Sequence, residues 1–381
     1  MSERAFEVVV FGATGFTGLL VARYLANTAT DLRWALAGRN VARLEAIRAQ
    51  LPEACADLPL IEADVSKPET LNAMAQQTST VLTTVGPFAQ YGPPLVEACV
   101  NNGTHYADIT GEPDFVAEMY RRFNGPARDA GVRIVNCCGF DSIPHDLGAW
   151  HCVQQLPKEG RIEVRGYVQT RGGISGGTWN TALAAMGQGR PPNTKGWLPS
   201  GDDRTARGLK QGVHRAEIGG YAAPMPTIDP LMVLRSAQDL GYGPDFHYGH
   251  YARFKTLRWM LGTGIGVGAV ATMAQVGPLR RWLGSRRPPG SGPTQEKMDK
   301  GWMNVEFIGI EGQHRAHTAV RCDMDPGYAM TSRMVAESAL CLARDGDQLD
   351  PEQVGVLTPA AAMAAPLVTR LERAGMRFEV L

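Results

Sequence analysis

The chain has 381 residues, more than a single hydrophobic core usually organises, so two domains are expected. Its 38 Lys and Arg balance 38 Asp and Glu, and no basic stripe carries interleaved aromatics, which argues against a nucleic-acid partner. Seven cysteines, an odd number without CxxC spacing, argue against a disulfide framework or a zinc site and fit the reduced thiols of a cytoplasmic protein.

The first strand, EVVVF (7–11), starts too early to leave room for a signal peptide ahead of it. It runs into GATGFTG, where Gly12, Gly15 and Gly18 recur at every third position before the helical pattern TGLLVARYLAN. A dinucleotide turn needs glycine where the chain turns, where backbone nears the pyrophosphate and where helix packs on strand. Gly12, Thr14, Gly15, Phe16, Thr17 and Gly18 are therefore the expected phosphate loop. The second strand, RWALA (33–37), ends in GRN. Arg39 stands where an acidic residue would bond the ribose of NAD, so Arg39, with Asn40 adding donors, predicts NADP. Asp64 follows the third strand, PLIEA (59–63), and is expected near the adenine, or else as the cap of the next helix.

TVLTTV (80–85), THYADI (104–109) and VRIVN (132–136) continue the alternation with helical segments, which predicts a parallel, doubly wound sheet. The loops after these strands are VGPFAQYGPP, DITGEP and CCGFDSIPHDLG. They should line one crevice, with Gly86 and Pro87 beneath the nicotinamide and Tyr91, Asp108, Glu112, Asp141, Ser142 and His145 as its polar groups. Tyr91 and Ser142 are candidate donors to a carbonyl, and His145 is a candidate proton source near neutral pH. Cys137 and Cys138 read as small buried residues rather than nucleophiles.

Beyond residue 145 the periodicity changes. RIEVRGYVQT (161–170), WMNVEFIGI (302–310) and RAHTAVRC (315–322) alternate apolar and polar residues, as strands of a half-exposed antiparallel sheet do. Residues 171–250 are rich in Gly, Pro and charge, predicting loops and short helices. Tyr251 and Lys255 have the Tyr-x-x-x-Lys spacing of short-chain dehydrogenases, but fall outside the six-strand unit and are set aside. His247, His250 and Asp245 offer no third metal ligand at convincing spacing, so no metal is expected. WMLGTGIGVGAVATMAQVGPL (259–279) lacks charge and lies between Arg258 and the run Arg280, Arg281, Arg286 and Arg287. Its small-xxx-small glycine pairs suit a buried or homodimer-interface element first and peripheral contact with an anionic membrane second. TSRMVAESALCLARDG (331–346) and PLVTRLERAG read as helices, and MRFEVL as a closing strand.

VVFGATGFTG, AGRN, VGPFAQYGPPLVEACVNNGTHYADITGEP and GFDSIPHDLG resemble the saccharopine dehydrogenase-like oxidoreductases, in the branch holding the trans-acting enoyl reductases. GGT (176–178), GPTQEKMDKG, GYAMTSRMVAESALCLA and GVLTPAAAM extend the resemblance over nearly the whole length. It implies a Rossmann-type NADP-binding domain (1–148) and an inserted α+β domain on a mostly antiparallel sheet (149–330) for substrate binding and dimerisation. A C-terminal segment (331–381) would pack back on the first domain. It also implies NADPH-dependent reduction, with an enoyl double bond of a lipid-like or polyketide intermediate as the expected substrate. An amino-acid or imine dehydrogenase, holding a dicarboxylate with arginines such as Arg165, Arg171 and Arg190, is the alternative; a non-catalytic NADP-binding protein is a second.

Overall fold

The computed structural model describes residues 4–172, 179, 182–183, 186–187, 190–198, 205–210, 212–286 and 292–381. The GGT at 176–178 and Arg287 lie outside the described residues. The first stretch alternates strand and helix: β1 (Phe6–Phe11), α1 (Phe16–Thr28), β2 (Trp34–Gly38), α2 (Val41–Arg48), β3 (Leu60–Glu62), α3 (Pro68–Gln76), β4 (Thr78–Thr83), α4 (Phe88–Asn101), β5 (His105–Asp108), α5 (Pro113–Asp129) and β6 (Arg133–Val135). The middle runs α6 (Ile143–Val153), β7 (Arg161–Arg171), β8 (Ala206–Gly208), β9 (His214–Arg215), β10 (Tyr221–Pro224), α7 (Asp229–Leu240), β11 (Asp245–Phe254), α8 (Leu257–Gln275), α9 (Gly277–Ser285), α10 (Gln295–Asp299), β12 (Trp302–Glu311) and β13 (His314–Cys322). The end supplies α11 (Thr331–Arg344), β14 (Gly355–Leu357), α12 (Pro359–Arg373) and β15 (Arg377–Val380).

These elements form two compact units, Met1–Ile143 with Tyr328–Ala374, and Pro144–Gly327 with Gly375–Leu381. In the first, a seven-stranded parallel sheet runs β14-β6-β5-β4-β1-β2-β3. Its central strands are continuously apolar because both faces are covered: Val8, Val9 and Val10 are fully buried. The order reverses at β1, between β2 and β4, the point at which doubly wound sheets bind ligands outside the carboxyl ends of their strands. Helix α11 is buried along most of its length. Tyr24 of α1 donates to its Glu337 at 2.6 Å, and Arg370 of α12 reaches the same carboxylate at 3.2 Å.

The second unit holds a mixed sheet in the order β15-β13-β12-β7-β11-β10-β9, with β8 beside β11. Most pairs are antiparallel, but β7 and β11 run parallel over eight residue pairs. Three features depart from the sequence reading. Residues 245–250, the end of the region expected to be loop-rich, join 251–254 in β11; the polar His250 and the bare Gly249 hide the strand pattern, because both faces of this strand are largely covered. The closing strand, β15, pairs with β13 of the second sheet rather than with the first unit, Phe378 opposite Val320. The uncharged segment 259–279 is not buried within its own chain, the first of the two forms expected for it: Trp259 is 72% exposed and Ile265 76%, while only Met260 and Ala274 of α8 are buried.

Candidate active site

β1 delivers Gly12 to the carboxyl edge of the parallel sheet with φ at +95°, and a Cβ there would lie 2.6 Å from Val85 Cγ2 in the loop after β4. Only glycine allows both the turn and this approach. At Gly18 a Cβ would lie 2.2 Å from the Gly12 carbonyl oxygen, so the first turn of α1 packs directly on the phosphate turn. Gly15 caps α1 and has no side chain to occupy the helix's first N–H groups. Thr14 and Gly15 are exposed, Phe16 and Thr17 half-buried, and the Phe16 ring meets Tyr328 edge-on at 4.8 Å. A bare helix N-terminus beside a glycine cradle fits a pyrophosphate.

Arg39 is exposed at the end of β2. Asn40 caps α2, its Oδ1 accepting the Arg43 N–H at 3.0 Å, which leaves its amide N–H groups for a ligand. Asp64 closes a local turn through the Ser66 N–H and hydroxyl, and these bonds hold its carboxyl below the usual range.

The three loops expected to line the crevice are tied together by carboxylates. Glu112 accepts the Phe88 and Ala89 N–H groups at 2.9 Å each, capping α4 from the loop after β5, so this residue supports the site rather than facing a ligand. Asp108 accepts from the Thr110 and Cys137 N–H groups, the Asn136 amide and the Tyr106 hydroxyl, all at 3.0 Å or less. Burial nonetheless pushes its carboxyl up to about 6. This anchor fixes the bend after β6, where Cys137 adopts φ +64°. Asp141 comes so close to Gly111 that a Cβ there would stand 2.9 Å from Oδ2. Phe140 donates its N–H to Thr331 Oγ1 at 3.1 Å, adding the start of α11 to the assembly.

Of the candidate catalytic residues, Tyr91 is half-buried in the first turn of α4, four residues after the Gly86–Pro87 peptide, which is cis. Ser142 is fully buried and its hydroxyl has no hydrogen-bond partner among the described residues. His145 lies in the second unit, in the first turn of α6, with Asp229 and His250. Asp229 carries no motif, and nothing in the sequence pairs it with residues 84 positions earlier and 21 later. Arg165, a candidate carboxylate clamp, is held by Glu217 at 2.6 Å and Glu163 at 3.0 Å.

Residues 8–135 match the saccharopine dehydrogenase NADP binding domain. The chain is 35% identical to the trans-acting enoyl reductase of Mycobacterium tuberculosis and 34% identical to that of Mycobacterium ulcerans, in each case over 98% of this chain and 97% of the relative. The chain belongs to the saccharopine dehydrogenase-like oxidoreductases. Its fold is shared with histidine-tagged saccharopine dehydrogenase (L-Glu forming) from Saccharomyces cerevisiae, at a TM-score of 0.56 and 12% identity, over 98% of this chain and 99% of that one. As a saccharopine dehydrogenase-like oxidoreductase the protein uses NADP(H). Among the described residues of this oxidoreductase, no single helix is long and apolar enough to cross a membrane.

Proposed function

We propose that the protein is an NADPH-dependent reductase of an enoyl double bond in a lipid-like or polyketide intermediate. The observation that carries this reading is the full-length similarity to trans-acting enoyl reductases, joined to a phosphate cradle that ends in Arg39 rather than an acid. Gly12, Thr14, Gly15, Phe16, Thr17 and Gly18 hold the pyrophosphate; Arg39 and Asn40 hold the 2′-phosphate; Asp64 borders the adenine, and Gly86 and Pro87 support the nicotinamide. The cofactor, when bound, supplies the hydride for the β-carbon.

The chain's own task is to orient the enoyl carbonyl and stabilise the charge that develops on its oxygen. Tyr91 and the unpartnered Ser142 hydroxyl are the donors for that oxygen. Burial pushes the His145 imidazole down to about 4, a neutral ring at pH 7, so protonation of the α-carbon falls to the Tyr91 hydroxyl or to solvent rather than to His145. The imine-dehydrogenase alternative is disfavoured because Arg165 is already paired with two glutamates. Following the nicotinamide absorbance with enoyl, keto and imino substrates tests the reading. Oxidation of NADPH by enoyl thioesters supports it; oxidation only by imines, or tight NADPH binding without turnover, contradicts it.

The exposed face of α8 and α9 belongs to the same reading. Trp259, Leu261, Ile265, Val267 and Trp282 project from it, with Arg258, Arg281 and Arg286 exposed at its ends. Apolar and aromatic residues flanked by arginines match an anionic lipid surface, where a lipid-like substrate would be encountered. Flotation with anionic liposomes tests this contact; a homodimer that buries the same face and ignores liposomes would replace it.

A further inference from the structure

The second unit contains a buried cluster that the reductase chemistry does not use. His145 enters it from the first turn of α6, Asp229 from the start of α7 and His250 from the middle of β11. Their accessibilities are 0%, 2% and 0%. His145 Nε2 stands 3.6 Å from Asp229 Oδ1, and His250 Nε2 stands 3.4 Å from Asp229 Oδ2. One donor atom from each of the three residues can be chosen so that all lie within 4.8 Å of one another. The two imidazoles meet edge-on with centroids 4.9 Å apart.

These separations are long for hydrogen bonds, and Asp229 Oδ1 and His250 Nε2 have no hydrogen-bond partner among the described residues. Each imidazole thus faces one oxygen of the same carboxylate, His145 facing Oδ1 and His250 facing Oδ2, at about the edge of a ligand tetrahedron, roughly 3.3–3.6 Å for metal–ligand bonds of about 2.0–2.2 Å. The groups behind the donors are arranged as they are around metal ligands. The Tyr248 hydroxyl lies 3.1 Å from His250 Nδ1, fixing the ring so that Nε2 faces the cluster, and the Thr227 hydroxyl donates to Asp229 Oδ2. A second buried carboxylate, Asp146, follows His145 and bonds the Ser236 hydroxyl at 2.5 Å.

We propose that His145, Asp229 and His250 bind one divalent transition-metal ion, Zn2+ by donor type, as a staple joining α6, α7 and β11. Two imidazole nitrogens and one carboxylate oxygen suit zinc; the alkaline-earth ions prefer oxygen ligands throughout. Three protein ligands leave the fourth position of a tetrahedral ion to a water or other small ligand, and full burial in a different unit from the glycine cradle separates the ion from hydride transfer.

The test uses the full chain, stripped with a chelator and titrated with Co2+ as a spectroscopic substitute for Zn2+. One equivalent per chain should give the intense visible bands of a tetrahedral cobalt centre, Zn2+ should bleach them, and either metal should raise the melting temperature. His250→Ala should weaken binding by at least tenfold. His247→Ala, which alters the neighbouring His247–Asp245 pair at 2.9 Å, should leave it unchanged. If the stripped wild-type chain gives no tetrahedral cobalt spectrum and no thermal shift, the cluster is a hydrogen-bonded polar core and the proposal fails, whether or not the variants fold. A spectrum equally strong in His250→Ala would place the metal elsewhere and also overturn it.

Discussion

Arg39 is the residue on which cofactor choice turns. A charge-assisted bond to a phosphate contributes about 1.5–3 kcal/mol, or roughly 10–100-fold in affinity. Arg39→Asp should therefore lower NADPH affinity by that factor while NADH affinity holds or rises; an unchanged preference in fluorescence titrations would misplace the 2′-phosphate. Tyr91→Phe and Ser142→Ala each remove one donor to the developing oxyanion and should lower kcat by roughly 10²–10³-fold with little change in NADPH binding. His105 carries a pH prediction of its own. Its Nδ1 accepts the Arg133 N–H at 3.0 Å, and burial, then the Arg133 and Arg4 charges, pushes it down to about 4. The unfolded chain thus binds the proton more readily, so stability is complete above about pH 6.5 and falls as pH drops toward 4, by at most about 1.4 kcal/mol per pH unit. Denaturant titrations across this range should show a shallower fall in His105→Asn. The glycines and Arg39 were legible in the sequence because each follows a strand end at fixed spacing. Glu112 was legible as a crevice residue but not as the cap of α4, because capping across two loops leaves no local pattern.

Among the elements, central strands of the parallel sheet announce themselves as short apolar runs, VVVF in β1 and WALA in β2, since both faces are buried. β14 adds a seventh strand of only three residues, too short for any periodicity, and β11 hides behind Gly249 and His250. Helix α8 misled in the other direction. An uncharged, glycine-rich run suggests burial, yet among the described residues no heavy atom beyond the helix's own backbone lies within 4 Å of where a Cβ would stand at Gly262, Gly264, Gly266 or Gly268. Its far end is anchored by Ala274 and Leu283 of the helix pair packing on Leu183, and its near end by the buried Met260. Because Ile265 touches so little, Ile265→Asp should change the melting temperature by no more than a degree or two while reducing co-flotation with anionic liposomes several-fold. Loss of folding, or undiminished flotation, would show that the face has another use.

At the scale of the whole molecule, sequence alone indicates a dinucleotide domain interrupted by a second sheet, because the alternation of strand and helix stops near residue 145 and resumes as alternating half-buried strands. The return of residues 328–374 to the first unit and of β15 to the second is decided by strand pairings about 60 and about 220 residues apart in the chain, such as Phe378 with Val320 and Val356 with Ile134, which no local pattern encodes. The same limit kept the His145–Asp229–His250 cluster out of reach. The central claim is hydride transfer from NADPH to an enoyl carbon, and its most direct measurement is mass spectrometry of the product formed from an enoyl thioester with NADPH deuterated at the transferring position. One deuterium on the β-carbon is the predicted result. An unlabelled or unreduced thioester under conditions where NADPH is bound would contradict the account.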